Sequence, residues 1–374
     1  MKIVADDKIP FLKGILEPYA DVLYLPGSNI TRDSIIDADA LLTRTRTKCT
    51  EEFLSGTSLK YIGTATIGFD HIDTCYCERN NIFWKNAPGC NSSSVRQYII
   101  SALLKMAFES GFRLKDKTLG IIGVGNVGSK VEKFARLMGM KVLLNDPPRE
   151  RGEGKFAFVN LADLLSESDI VTLHVPLNMV GRDATYHMLD EKRFRNMKKG
   201  TLLLNTSRGE IIETNALKNA LSSGCLGGVV LDVWENEPDV DTQLLSQVNL
   251  ATPHIAGYSA DGKANGTSII VNSLCEFFNL PLRDWYPPDV PLPADPVIRI
   301  DCSGMEDEDV IRKAVFHSYD ISEDDRDLRA NPSDFEKLRG DYKIRREFPA
   351  YSLKLISAPD YLSGMLSDMG FRII

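Results

Sequence analysis

No run of apolar residues in this chain approaches the length needed to cross a bilayer, and the opening MKIVADDKIP lacks the basic start and long apolar segment of a secretory leader. The expectation is a cytoplasmic protein with no membrane partner. Cysteine is sparse: seven in 374 residues (Cys49, Cys75, Cys77, Cys90, Cys225, Cys275 and Cys302), odd in number and without paired CxxC spacing. That pattern excludes a disulfide framework and reads as reduced structural thiols. Cys75 and Cys77 lie near His71 but lack a fourth ligand, so no metal is expected. An excess of positive charge is missing too, since 44 Lys and Arg stand against 52 Asp and Glu, a net −8. Such a balance argues against nucleic acid and anionic membranes as partners. Neither a solenoid-period repeat nor a low-complexity tract is present.

What is there begins with Thr118 to Asp146, TLGIIGVGNVGSKVEKFARLMGMKVLLND. An apolar run, Leu119 to Ile122, stops at Gly123-Val124-Gly125-Asn126-Val127-Gly128, after which apolar residues recur at helical spacing: Val127, Val131, Phe134, Ala135, Met138. A second run, Lys141 to Leu144, ends at Asp146, roughly twenty residues past the glycines, where a dinucleotide fold needs an acid for the ribose hydroxyls. Strand, glycine turn, helix and acid together point to a dinucleotide site, with the helix N-terminus facing the pyrophosphate. A carboxylate at Asp146 favours NAD over NADP, whose 2′-phosphate it would repel. In any other doubly wound sheet, Asp146 would be only a helix cap or a solvated acid.

At 374 residues the chain predicts two or three domains. From Met1 to about Ser93, short apolar runs (Ile3 to Ala5, Val22 to Leu25, Ala40 to Leu42, Tyr61 to Ile62, Ile82 to Trp84) alternate with Gly, Pro, Asp and Asn turns, predicting a small parallel α/β domain. Asn91 to Ser94 offer caps for a long apolar helix, Val95 to about Glu109. Further strands are predicted at Leu119 to Ile122, Val142 to Leu144, Ile170 to Leu173, Thr201 to Asn205, Gly228 to Asp232 and Val248 to Ala251. Polar residues stand at their carboxyl ends, where open α/β sheets bind ligands. A helical run, Ala264 to Phe278, is expected to return to the first domain, and a Pro-rich linker, Pro281 to Pro296, leads to a charged α/β tail, Val297 to Ile374.

Three residues at neighbouring strand ends suit hydride removal from an alcohol that bears a carboxylate. Arg208 offers a fork of donors for the carboxylate and the developing carbonyl, His254 takes the hydroxyl proton, and Glu237 bonds the other ring nitrogen and favours imidazolium. Taken singly, an arginine after a strand is usually solvated or salt-bridged, and a histidine at a strand end is more often structural than catalytic. In the first domain, Arg44, Arg46 and Lys48 follow the Ala40 to Leu42 strand, and strand alternation would put two cations on one side for a phosphate or carboxylate. Thr64 and Thr66 add donors there. His71 is expected to order its loop, His174 to lie near the cofactor without moving a proton, and His187 and His317 to be structural.

Asn205 to Glu213, Glu237-Pro238 and Thr252 to Gly257, with GVGNVG and His174-Val175-Pro176-Leu177, resemble the signature blocks of the D-isomer-specific 2-hydroxyacid dehydrogenases. Thr43 to Lys48, Gly63 to Gly68 with Asp70-His71-Ile72-Asp73, and the added tail resemble more narrowly one branch of that family, in vitamin B6 biosynthesis. The resemblance implies two Rossmann-like or flavodoxin-like doubly wound parallel-sheet domains plus a small C-terminal α/β dimerisation domain: a substrate (lid) domain of residues 1–93 and 258–286, an NAD-binding domain of 94–257, and a dimerisation domain of 287–374. It implies NAD-dependent oxidation of 4-phospho-D-erythronate by a homodimer, with Arg208, Glu237 and His254 catalytic. Cofactor contacts carried over are Gly125, Asn126, Val127, Asp146, Val175, Thr206, Ser207, Arg208, Asp232 and Gly257; substrate contacts are Arg44, Thr45, Arg46, Thr66 and Tyr258. Val175 departs from the many relatives with Thr there, leaving only a backbone contact to carry over. Other 2-hydroxy acids such as phosphoglycerate, and a non-catalytic NADH-responsive protein, are the competing readings.

Overall fold

The computed structural model describes residues 1–154 and 157–374, which fall into two compact units, Met1–Asn91 with Ser259–Pro291 and Ser92–Tyr258 with Leu292–Ile374. In the first unit, β1 (Lys2–Asp6), β2 (Asp21–Leu25), β3 (Ala40–Thr43), β4 (Tyr61–Thr64) and β5 (Phe83–Lys85) pair in parallel in the order β2-β1-β3-β4-β5. The three central strands are buried along nearly their whole length, as helices on both faces of a parallel sheet require. On one face Val4, Leu41 and Ile62 pack with Ile35, Leu54 and Cys77. On the other, Ile3, Leu42 and Tyr61 pack with Ile270, Val271 and Leu274 of the helix Ala260–Phe277, which makes this unit discontinuous in sequence. Gly63 permits that approach, because a Cβ there would lie 2.9 Å from Leu42 and 3.4 Å from Ile270.

The second unit holds a six-stranded parallel sheet of β6 (Thr118–Ile122), β7 (Lys141–Asn145), β8 (Ile170–Leu173), β9 (Thr201–Asn205), β10 (Leu226–Leu231) and β11 (Leu250–Ala251), in the order β11-β10-β9-β8-β6-β7. Beyond β7, Val159 donates its N–H to the Leu144 carbonyl (2.8 Å) and accepts from the Asn145 amide (2.8 Å), so a short extended segment lines that edge. The order reverses between β6 and β8, the switch point at which such sheets open a crevice for a ligand. The helix Ser92–Ser110 is buried on most of its circumference, which its near-continuous apolar sequence foreshadows.

The tail forms its own parallel sheet, β12 (Val297–Asp301), β13 (Ser352–Ile356) and β14 (Arg372–Ile373), and shares one core with the rest of its unit. Along β12 burial alternates, Ile298 and Ile300 inward, Val297, Arg299 and Asp301 outward. Tyr319, Phe348 and Leu353 pack in the cluster that contains Tyr98 and Leu103 of the long helix. The tail helix Ile321–Ala330 closes the edge of the larger sheet: Asp325 accepts the Ala251 N–H of β11 at 2.7 Å, and Arg329 donates to the Leu245 and Val248 carbonyls. Edge strands need such cover to avoid pairing with another chain. Among the described residues no helix is long and apolar enough to cross a membrane.

Candidate active site

The glycine turn follows β6 at the switch point, and its three glycines do different things. Gly123 has φ +86°, and a Cβ there would come within 2.6 Å of the His174 carbonyl oxygen, so the turn lies flat against the end of β8. At Gly128, the first residue of the helix Gly128–Leu137, a Cβ would sit 2.0 Å from the Gly123 carbonyl. Around Gly125 there is open space, and it is exposed together with Asn126, with Val127 half-buried behind them. A diphosphate has room to meet backbone N–H groups at this turn. Asp146, at the end of β7, accepts from the Val124 N–H (2.8 Å) and the Arg149 N–H (3.1 Å), which makes it also the cap of the helix Pro147–Glu153. Arg149, close enough to suggest a 2′-phosphate contact, is instead clamped by both oxygens of Glu153 at 2.7 and 2.8 Å. Val175 is half-buried beside the turn. His174 bonds Thr172 at 3.0 Å, and burial pushes its imidazole down to about 3, so it stays neutral.

The ends of β9, β10 and β11, adjacent in the sheet, carry the second cluster. Asn205 organises the turn after β9: its Oδ1 accepts from the Ser207 N–H (3.0 Å) and hydroxyl (2.8 Å), and its Nδ2 donates to the Arg208 carbonyl (2.9 Å). Thr206 keeps a buried hydroxyl without a hydrogen-bond partner among the described residues, a group that a ligand at this edge would satisfy. Gly209 then presses against backbone, since a Cβ there would lie 2.0 Å from the Trp234 carbonyl carbon. This contact ties the Arg208 turn to the segment carrying Glu237. Glu237 accepts the Trp234 N–H on Oε1 (2.9 Å) and meets His254 Nδ1 with Oε2 (2.7 Å). Burial alone would push its carboxyl up, but the His254 hydrogen bond and charge, the Trp234 amide and the Arg339 charge hold it below the usual range. With Nδ1 engaged by an ionised carboxylate, Nε2 is the nitrogen left to exchange a proton with a ligand.

His254 sits at φ +56°, a conformation costly for a non-glycine residue, and Asp232 holds it there. The carbonyl of Asp232 accepts the His254 N–H (2.7 Å), while its carboxylate, 1% exposed, accepts the Thr252 hydroxyl (2.7 Å) and the Ile255 and Ala256 amides (2.7 and 2.9 Å). Burial raises that carboxyl against the pull of these donors. Thr252 also bonds Tyr98 of the long helix at 2.7 Å. Asp232 thus acts first as the anchor of the His254 loop, which continues through half-buried Gly257 and Tyr258. Sequence reasoning missed Tyr98 and the tail residues Arg339 and Arg345 around this loop, because they are distant in the chain and carry no motif.

In the first unit Arg44, Thr45, Arg46 and Thr66 stand at the carboxyl ends of adjacent strands β3 and β4. The alternation expected for Arg44, Arg46 and Lys48 does not occur: β3 stops at Thr43 and the chain turns, pinned by the Thr47 hydroxyl on the Gly27 carbonyl (2.9 Å). Arg44 donates to the Lys8 backbone carbonyl (3.3 Å) across the β1/β3 switch point. Thr66 bonds the Thr64 hydroxyl (2.7 Å) and the Gly68 carbonyl (2.9 Å). His71 orders its loop through its carbonyl, which accepts the Cys49 N–H at 2.7 Å. His187 pairs with Glu235 at 2.7 Å.

Residues 93–256 match the family model described as the D-isomer specific 2-hydroxyacid dehydrogenase NAD binding domain, and residues 291–370 match a domain of unknown function, DUF3410. The erythronate-4-phosphate dehydrogenase of Bacteroides thetaiotaomicron is 49% identical over 94% of this chain and 99% of its own length, and that of Proteus mirabilis 40% over 100% and 99%. Among solved structures, D-lactate dehydrogenase from Aquifex aeolicus, complexed with NAD and lactic acid, aligns with TM-score 0.59 at 28% identity, over 75% of this chain and 96% of that one. The NAD-bound 3-phosphoglycerate dehydrogenase of Entamoeba histolytica aligns with TM-score 0.62 at 26% identity, over 76% and 98%. A nucleotide turn, an acid–histidine pair and an arginine at the ends of one parallel sheet agree with these likenesses, and the chain belongs to the erythronate-4-phosphate dehydrogenase family within the D-isomer specific 2-hydroxyacid dehydrogenases.

Proposed function

We propose that this protein oxidises 4-phospho-D-erythronate at carbon 2 to (R)-3-hydroxy-2-oxo-4-phosphooxybutanoate with NAD, a step towards pyridoxal 5′-phosphate. The observation that carries the reading is the 2.7 Å contact between His254 and Glu237, on strand ends shared with Arg208. Arg208 holds the substrate carboxylate through paired N–H donors and polarises the oxygen that becomes a carbonyl. His254 takes the hydroxyl proton on Nε2, and Glu237 stabilises the imidazolium that results. NAD, when bound, supplies the acceptor for the hydride leaving the same carbon. Contacts proposed for it are Gly125, Asn126, Val127, Asp146, Val175, Thr206, Ser207, Arg208, Asp232 and Gly257. The open space at Gly125, the unpartnered Thr206 hydroxyl and the acid at Asp146 fit that group.

Arg44, Arg46, Thr45, Thr66 and Tyr258 are the proposed substrate contacts, the two arginines meeting the phosphate charge that a net −8 chain must counter locally. The protein acts in the cytoplasm as a homodimer joined through residues 287–374. Purified protein given 4-phospho-D-erythronate and NAD should raise nicotinamide absorbance, directly or as turnover when a 2-oxo acid recycles NADH. Absence of both signals rejects the substrate. Phosphoglycerate and simple D-2-hydroxy acids, run in parallel, should be oxidised far more slowly.

A further inference from the structure

Two glutamates of one short turn each meet a histidine. Glu237 faces His254, and Glu235, separated from it by Asn236 at φ +68°, meets His187 Nε2 with Oε1 at 2.7 Å. The other oxygen of Glu235 accepts the Thr214 N–H at 3.1 Å. Thr214 opens the helix Thr214–Ser222, an end where free N–H groups and the helix dipole favour a carboxylate. Burial would raise the Glu235 carboxyl, but the Thr214 and His187 hydrogen bonds hold it below the usual range. His187 is itself fixed: its ring stacks on that of Tyr186 with centroids 4.0 Å apart, and its backbone N–H donates to the Glu210 carbonyl at 2.8 Å. Glu210 and Thr214 both belong to the stretch that follows Arg208. One carboxylate therefore ties the turn that bears Glu237 to the stretch that bears Arg208.

We propose that Glu235 is a positioning residue for the reaction, anchoring through His187 and Thr214 the turn that presents Glu237 to His254. The inference rests on the dehydrogenase reading, and it gives the second acid–histidine pair a part in the proton transfer carried out by the first. The coupling is mechanical. Glu237 keeps its Oε1 on the Trp234 N–H of its own turn at 2.9 Å, so a shift of the turn carries the carboxylate with it. Two further contacts hold that turn: the Trp234 indole N–H on the Thr252 carbonyl at 3.0 Å, and the close approach of Gly209 to the Trp234 carbonyl. Glu235 supplies the hold from the His187 loop. A displacement of about 1 Å at a reacting group can cost roughly a hundredfold in rate, and a 2.7 Å hydrogen bond tolerates little of it. The side chains of His187 and Glu235 are 30% and 18% exposed, so replacing either leaves the apolar core intact and the variants can be assayed as folded chains.

The full-length chain with Glu235→Ala or Glu235→Gln, each alone and combined with Glu237→Gln, provides the test. Turnover with NAD and 4-phospho-D-erythronate is measured beside the Nδ1 nitrogen resonance of His254, assigned by His254→Ala, which reports the bond to Glu237. Glu235→Ala should lower kcat about tenfold, keep KM and NAD affinity within about twofold, and move the Nδ1 resonance towards its position in Glu237→Gln. Glu235→Gln keeps an acceptor for the Thr214 N–H and a polar group for His187, and should recover most of the rate. In the Glu237→Gln background, Glu235→Ala should cause no further loss, because its effect passes through the residue already replaced. His187→Ala, which removes one anchor and leaves the other, should give a smaller loss of the same kind and carries the test if Glu235→Ala does not fold. An equal loss in both backgrounds, or a Nδ1 resonance that stays in place, overturns the assignment. Should the wild type show no turnover on any acid, the proposed function fails, and the His254 resonance still decides whether Glu235 positions Glu237.

Discussion

At the residue scale, two histidines at strand ends of one sheet, His174 after β8 and His254 after β11, are set to opposite tasks by what surrounds them. His254 has a carboxylate on Nδ1 at 2.7 Å, whereas His174 has a threonine hydroxyl at 3.0 Å and burial. His254→Ala should lower turnover by about 10²- to 10⁴-fold, the usual weight of a positioned acid–base group, with NAD affinity by fluorescence titration nearly intact. Near-normal turnover would remove it from the mechanism. For His174 the expected readout is stability. Burial lowers its midpoint from 6.5 to about 3, so between those values the unfolded chain binds the proton that the folded chain refuses. Stability contributed by neutral His174 is therefore full above about pH 6.5 and declines as pH falls through that window. Urea melts at pH 7 and pH 5 should show a smaller loss for His174→Gln than for the wild type; equal losses would show that His174 does not set this part of the acid sensitivity.

At the element scale, the site depends on turns that press backbone on backbone. Gly209 is the clearest case, because the atoms a methyl would strike are the Trp234 carbonyl and the Glu235 nitrogen, at 2.0 to 2.3 Å, and none of them is the end of a flexible side chain. Gly209→Ala should cost at the upper end of the about 1–3 kcal/mol typical of overpacking and separate the Arg208 turn from the Glu237 segment. The expected result is a large loss of turnover with a modest fall in melting temperature. Retention of both would mean that the two segments are not coupled through this contact. Sequence alone announces this glycine only as part of a block, and gives no hint of what it touches. The strands were legible because each is a short apolar run between turn formers, and the glycine turn because its spacing follows from phosphate geometry. The alternation expected for Arg44, Arg46 and Lys48 fails because the Thr47–Gly27 hydrogen bond that turns the chain is a tertiary contact. Arg339 was hidden for the same reason: within EKLRGDYKIRRE it looks like one more solvated charge, and only folding sets it over Tyr258.

For the whole molecule, the tail's shared core changes how its proposed dimerisation must be tested. Ending the chain near Pro287 would strip Tyr319, Phe348 and Leu353 from the cluster that buries Tyr98 and Leu103, and would uncover the Ala251 edge that Asp325 caps. Such a truncation would report on folding as much as on assembly. Surface charge is the cleaner probe, because single exposed positions rarely alter stability by more than about 0.5 kcal/mol. The tail exposes Ile344, Ile356, Tyr361 and Ile374, each by more than half, an unusual density of apolar surface for a segment so rich in charge. If residues 287–374 join two copies, Ile356→Glu with Ile374→Glu should halve the mass seen by light scattering and leave the circular dichroism spectrum unchanged. Val180→Glu, on a loop residue that is 84% exposed outside the tail, should leave the dimer intact. The assignment fails if the tail variant keeps the mass of two chains, or if the loop variant alone dissociates them.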